Sequence, residues 1–294
     1  PACAGAILLA PSTVENPTAG GTASGLARYP RASGGRTTVI YVCVPTRNDA
    51  RTLGPLLWRL RTVLAQYPRD YCVLVHDDAS DDATPEVLQQ YARVMPLESW
   101  RSDTPIGSAA ALDRLLRAAV AASEYPRRDG AVVLQGDFQD APEDLPELLR
   151  RFESGADVVV GVPPSDGSPA AVRWLRRYGL PWAVRWRTRR RLRDPVAGFR
   201  LFRLQVLRRA LQARGAEPLL RRPGWAGQLE LLLATLPYAR RSADVLLPAR
   251  PPRRVRPAEP VAFWPTAQEL WAVLTGSTRR TSPRALASDP KPAP

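Results

Sequence analysis

Residues 38–49 read TVIYVCVPTRND: a short run of β-branched and aromatic residues, then Pro45 and a polar turn ending in Asp49. An apolar run of this length, closed by turn residues, is the pattern of a strand buried on both faces. Outward from it, a helical pattern covers about residues 49–66, a second strand YCVLVH covers 71–76, and a second helix covers about 84–94. The alternation continues with a helix over about 107–122, a strand GAVVLQG at 130–136, a helix over about 143–154 and a strand DVVVGV at 157–162. Repeated βα units of this size imply an α/β fold, a parallel sheet covered by helices on both faces. Ligands of such sheets bind beyond the carboxyl ends of the strands, so the residues just after each strand carry the functional reading.

The chain has 294 residues, 45% of them apolar, enough for one large α/β domain with appendages. Residues 1–37 and the closing stretch TSPRALASDPKPAP are rich in Gly, Ala, Ser, Thr and Pro without apolar periodicity, and are expected as disordered tails. The longest apolar runs, AGAILLA and LELLLATL, fall short of the roughly 20 residues of a membrane span, so no bilayer crossing is expected. Cys3, Cys43 and Cys72 are odd in number and lack metal-ligand spacing, which fits reduced thiols and a cytoplasmic location. The net charge of +14 is unevenly placed: residues 38–160 carry 13 Arg against 19 acids, whereas residues 161–294 carry 26 basic residues against 8 acids. A basic half of this kind is expected to face an anion, although Lys supplies only one of the 42 basic residues, which also marks an Arg-biased composition.

Three strand ends carry carboxylates. Pro45-Thr46-Arg47-Asn48-Asp49 follows the first strand, Asp77-Asp78-Ala79-Ser80-Asp81-Asp82 the second, and Asp137-Phe138-Gln139-Asp140 the strand at 130–136. Any one of these could be a turn or a helix cap. Their gathering at one sheet edge is costly unless a cation or ligand donors compensate the charge. His76, the single histidine, reads as a strand-end filler.

The segments VPTRNDARTL, VHDDASDDAT, GDFQDAPEDLPELL and RDPVAGFRLF, in this order, resemble the signature blocks of family 2 glycosyltransferases with the GT-A fold, nearest the polyprenyl-phosphate sugar synthase branch. The similarity covers about residues 37–255. It implies a Rossmann-like mixed sheet flanked by helices, and an inverting transfer of a sugar from a nucleoside-diphosphate sugar. It places the donor's base and ribose at Pro45, Thr46, Asp49, Asp77, Asp78 and Ser80, with Gly107 near the diphosphate. It places a divalent metal, Mg²⁺ or Mn²⁺, at Asp137, Gln139 and Gln135. Where the family has a first Asp, this chain has Gln135, whose amide oxygen can ligate a hard cation but brings no charge. Ser108 likewise stands where the family often carries a basic residue.

The resemblance also implies an organisation: residues 38–160 as the nucleotide-sugar-binding half, 161–258 as the acceptor half, and 259–294 as a C-terminal helix and tail. A lipid-phosphate acceptor is already anionic and needs no general base, whereas a hydroxyl acceptor of a polysaccharide or natural product would need a carboxylate, for which Glu230 and Asp194 are the candidates; with Asp137 of the metal loop these are the candidate catalytic residues. Residues 170–193 favour the lipid phosphate. Nine Arg alternate there with Trp174, Tyr178, Trp182 and Trp186, a pattern suited to an anionic membrane surface on the inner face of the plasma membrane. Arg173, Arg176, Arg177, Arg200 and Arg254 are the candidate acceptor-phosphate ligands. A basic nucleic-acid-binding protein would explain the charge but leave the acidic loops idle, so no nucleic-acid partner is expected. A nucleotidyltransferase would carry a Gly-rich loop after the first strand, which VPTRND lacks, and a non-catalytic relative would follow if Gln135 abolished metal binding.

Overall fold

The computed structural model describes residues 38–137, 139–164, 169–249 and 263–276. Its centre is a seven-stranded sheet in the order β3-β2-β1-β4-β6-β5-β7. These strands are β1 (Val39–Thr46), β2 (Asp70–Asp77), β3 (Leu97–Arg101), β4 (Gly130–Val133), β5 (Val158–Val162), β6 (Arg200–Arg203) and β7 (Ser242–Leu246). Alternation along β1 sorts its side chains between two cores. Ile40, Val42 and Val44 pack with the apolar faces of α1 (Ala50–Ala65), α2 (Thr84–Ala92) and α4 (Leu145–Glu153). Tyr41 and Cys43 pack on the other face with α3 (Ser108–Ala122), α7 (Leu204–Arg214) and α8 (Gly224–Thr235).

The sheet is mixed, as the family resemblance implies, where the βα repeats taken alone point to a parallel sheet. β1, β2, β3 and β4 run parallel in register, with Thr46 opposite Asp77 and Cys43 opposite Val133. β6 runs antiparallel to both β4 and β5, Arg200 lying opposite Val133 and Val160. A strand in this direction enters the sheet from the carboxyl edge of its neighbours. The residues just before Arg200 therefore join the acidic loops at that edge.

Between β5 and β6 the chain forms α5 (Ala170–Trp174), a π-helical turn over Leu175–Gly179 and α6 (Leu180–Thr188). α9 (Phe263–Thr275) packs on α8 and meets α6, with Leu270 in the core. Among the described residues no helix is long and apolar enough to cross a membrane. Cys43 and Cys72 are free and buried, and burial pushes both thiols up, Cys72 to about 12, so neither is a thiolate at neutral pH. Cys3 lies outside the described residues.

Candidate active site

The loops after β1 and β2 hold one another through hydrogen bonds between side chains and backbone. Thr46 Oγ1 and Arg47 N donate to Asp49 Oδ2 at 2.9 and 3.1 Å. Asn48 N donates to Ser80 Oγ (2.9 Å), and Asp81 N to Asn48 Oδ1 (2.9 Å). Asp82 accepts from Ala50 N at the start of α1 and from Thr84 N at the start of α2. The loop after β4 joins the same clasp: Thr52 Oγ1 donates to Gly136 O (2.9 Å), and Gly136 N reaches Pro45 O (3.4 Å). A Cβ at Gly136 would stand 2.8 Å from both Asp49 Oδ2 and Thr46 Oγ1. That close approach requires glycine.

Asp78 is buried, and its two oxygens accept the backbone amides of Ile106 (2.6 Å) and Gly107 (2.9 Å). It thus ties the entry of α3 to the end of β2, and Gly107 makes that entry at φ 88°. Asp77 is also buried; its Oδ1 accepts Ser80 N (3.0 Å), whereas its Oδ2 has no hydrogen-bond partner among the described residues. Arg101, which the sequence reading missed with its strand β3, clamps this loop. Its guanidinium donates to Ser80 O (2.6 Å) and stands 3.7 Å from Asp77 Oδ2. His76 is buried with Nε2 2.9 Å from Ser102 Oγ, and burial lowers its pKa, so it sits in the strand end as a neutral ring.

The expected metal loop follows β4. Gln135 and Asp137 are half-buried, Gln139 is exposed, and Gln139 N donates to Asp137 Oδ1 (3.1 Å). No cluster of three or more His, Cys, Asp or Glu side chains suited to a metal occurs among the described residues. The donor set offered here is one carboxylate with two amide oxygens and Asp140 nearby, a set of hard oxygen donors with low charge. It fits Mg²⁺ or Mn²⁺ held jointly with a diphosphate, and not a dedicated protein cage.

On the acceptor side, Arg176 and Asp194 engage one another, while Arg200 and Glu230 are held by other partners. Arg176 donates through Nε and Nη2 to Asp194 Oδ2 (2.7 and 2.6 Å), and its guanidinium lies 5.3 Å from the centre of the Trp225 ring. Asp194 Oδ1 also accepts Val196 N (3.2 Å). Arg200 does not face an acceptor: it is fully buried, its Nη1 and Nη2 donating to Gln228 O (2.6 Å) and Pro195 O (2.5 Å). Burial lowers its pKa to about 10, offset by the charge of Asp194, so it stays cationic at neutral pH and pins the 194–199 loop to α8. Glu230 accepts Arg221 N (2.6 Å), Arg222 N (3.1 Å) and Arg222 Nη1 (2.6 Å), so it caps the turn before α8 instead of standing ready as a base. Arg173 and Arg177 are exposed, and Arg254 lies outside the described residues.

A mixed seven-stranded sheet, with acidic loops on one edge and a reversed strand bringing arginine and aspartate to that edge, defines a GT-A-type α/β fold. The profile of glycosyl transferase family 2 matches residues 41–214, and the chain belongs to that family. The undecaprenyl-phosphate 4-deoxy-4-formamido-L-arabinose transferase of Pseudomonas fluorescens (strain Pf0-1) is 30% identical over 141 residues, 47% of this chain and 38% of the relative. The dolichol-phosphate mannosyltransferase of Pyrococcus furiosus is 27% identical over 181 residues, 57% of this chain and 47% of the relative. The chain thus spans less than half the length of these two relatives. Among solved structures, glucosyl-3-phosphoglycerate synthase from Mycobacterium tuberculosis, in complex with Mn²⁺, UDP-glucose and phosphoglyceric acid, superposes with a TM-score of 0.56 at 20% identity, covering 82% of this chain and 79% of the other.

Proposed function

We propose that this chain transfers a sugar, with inversion, from a nucleoside-diphosphate sugar to the phosphate of a polyprenyl phosphate, working as a peripheral protein on the cytoplasmic face of the plasma membrane. The observation that carries the choice of acceptor is the engagement of both candidate bases. Asp194 is paired with Arg176, and Glu230 is saturated by Arg222 and two backbone amides. A hydroxyl nucleophile needs a carboxylate able to take its proton, whereas a phosphate oxygen attacks without one. The two named relatives act on polyprenyl phosphates, which supports the same class of acceptor here.

In this reading, residues 38–160 form the donor half and 161–258 the acceptor half. Pro45, Thr46, Asp49, Asp78, Ser80 and Gly107 shape the donor pocket, and Asp77, whose Oδ2 makes no hydrogen bond among the described residues but is ion-paired with Arg101, accepts a hydrogen bond from base or ribose. Asp137, Gln139 and Gln135 would hold Mg²⁺ or Mn²⁺, which when bound neutralises charge developing on the departing diphosphate. Arg176, fixed by Asp194 and Trp225, and the exposed Arg173 and Arg177 position the acceptor phosphate.

The test is binding followed by turnover. UDP, GDP and dTDP are compared by thermal shift with Mn²⁺ and with chelator; one of them is expected to raise Tm only with metal. Asp137→Ala is expected to lose that shift and at least about 100-fold in transfer to polyprenyl phosphate, with the unliganded Tm unchanged. Wild-type turnover in Asp137→Ala, or transfer to hydroxyl acceptors alone, refutes the assignment.

A further inference from the structure

The acceptor-side helix carries a four-residue repeat on its solvent side: Arg173-Trp174, Arg177-Tyr178, Pro181-Trp182, Arg185-Trp186. An α-helix advances about 100° per residue, so such a repeat would drift around the helix by about 40° at each step. Here the backbone stays helical from α5 through α6, but the intervening turn over Leu175–Gly179 is π-helical. The wider turn takes back part of that drift and keeps the rings on one side. Val172, Leu180 and Val184, two positions out of phase, are buried on the opposite side.

The rings are turned outward. Trp174 is 60% exposed, Tyr178 61%, Trp182 70% and Trp186 77%; on α9, which meets α6, Trp264 is 73% and Trp271 65% exposed, seven residues apart on one side of the helix. Water-exposed indoles concentrated on two touching helices mark an interaction surface. Its chemistry selects the partner. Between Ala170 and Arg193 the sequence has nine Arg and no acidic residue, and the large exposed apolar groups of α5–α6 are all aromatic. Trp and Tyr favour the headgroup level of a bilayer, and Arg extends its stem along apolar surface toward lipid phosphates. The core of a protein–protein interface, by contrast, is depleted of charge.

We propose that the outer side of α5, the π turn and α6, together with the tryptophans of α9, forms one two-helix platform that lies in the headgroup layer of an anionic bilayer, with the π turn setting the phase of its rings. This deepens, and rests on, the peripheral location proposed above. The platform would bring Arg173 and Arg177, which sit beside its rings, to the depth of lipid phosphates.

The experiment is flotation of the full chain with vesicles of phosphatidylcholine alone or mixed with phosphatidylglycerol, for wild type and two double variants, Trp182→Ala/Trp186→Ala and Trp264→Ala/Trp271→Ala. Wild type is expected to float with the anionic vesicles and to show a blue shift of tryptophan emission. Each double variant is expected to lose at least about tenfold in partitioning, with unchanged circular dichroism and unchanged transfer to a detergent-solubilised short-chain polyprenyl phosphate. Three results overturn the platform: no flotation of wild type, flotation indifferent to the double variants, or sedimentation showing that the same tryptophans hold two copies together. Flotation that behaves as expected, with transfer confined to soluble hydroxyl acceptors, overturns the acceptor assignment and leaves the platform standing.

Discussion

Ala79 and Asn48 hold left-handed backbone angles, φ 55° in each, on the two loops that clasp one another through Ser80 Oγ and Asn48 Oδ1. Asn tolerates that region, whereas a residue with an ordinary Cβ is destabilised there by roughly 1–2 kcal/mol. Ala79→Gly is therefore expected to stabilise the fold by about 1 kcal/mol after the extra chain entropy of glycine is offset, measured as a higher midpoint in urea at unchanged slope. Gln135 bears on the donor side at the same scale. Replacing its neutral amide by carboxylate, Gln135→Asp, adds a charged oxygen donor, and the Mn²⁺ concentration giving half the nucleotide-dependent thermal shift is expected to fall about tenfold. Equal metal requirement in the two proteins would remove Gln135 from the donor set. The acid loops were legible in the sequence because each directly follows a strong apolar run. What Asp78 does was not, since its partners Ile106 and Gly107 lie 28 and 29 residues onward, past a strand the pattern did not reveal.

At the level of elements, the helices expected over about 49–66, 84–94, 107–122 and 143–154 correspond to α1, α2, α3 and α4 within a few residues. Their apolar stripes are long enough to average out local noise. β3, β6 and β7 escaped because each has only 4 or 5 residues and because charged or polar residues interrupt them, as in LESWR, RLFR and SADVL. β6 matters most, since its reversed direction brings Asp194 and Arg200 to the functional edge. The junction of elements that most constrains the donor pocket is the approach of the β4 loop to the β1 loop at Gly136. Gly136→Ala is expected to force Asp49 and Thr46 away and to weaken metal-dependent nucleotide binding by at least about tenfold. Gly198→Ala is the matched control: it sits on the 194–199 loop with nothing within 4 Å of an added Cβ, and nucleotide binding is expected to remain as in wild type.

Across the whole molecule, the acidic loops after β1, β2 and β4 and the residues from Asp194 to Arg200 meet at one edge of a single sheet. In the proposed function, the base and ribose of the donor are held by short-range hydrogen bonds at the clasped loops, which salt barely affects. In the same proposal the acceptor phosphate is held by exposed guanidinium groups such as those of Arg173 and Arg177, whose field extends over a Debye length of about 10 Å at 0.1 M salt and about 3 Å at 1 M. The two substrates are therefore expected to respond differently to ionic strength. Raising KCl from about 0.05 to about 0.5 M should increase the apparent KM for a phosphate-bearing acceptor severalfold while changing that for the nucleotide sugar by less than about twofold. Steady-state kinetics with a short-chain acceptor in neutral detergent separates this from membrane partitioning. An acceptor KM indifferent to salt would mean that the exposed arginines of 170–193 act as surface groups, and that the anion is held instead by the half-buried Arg176, opening from Asp194 toward it.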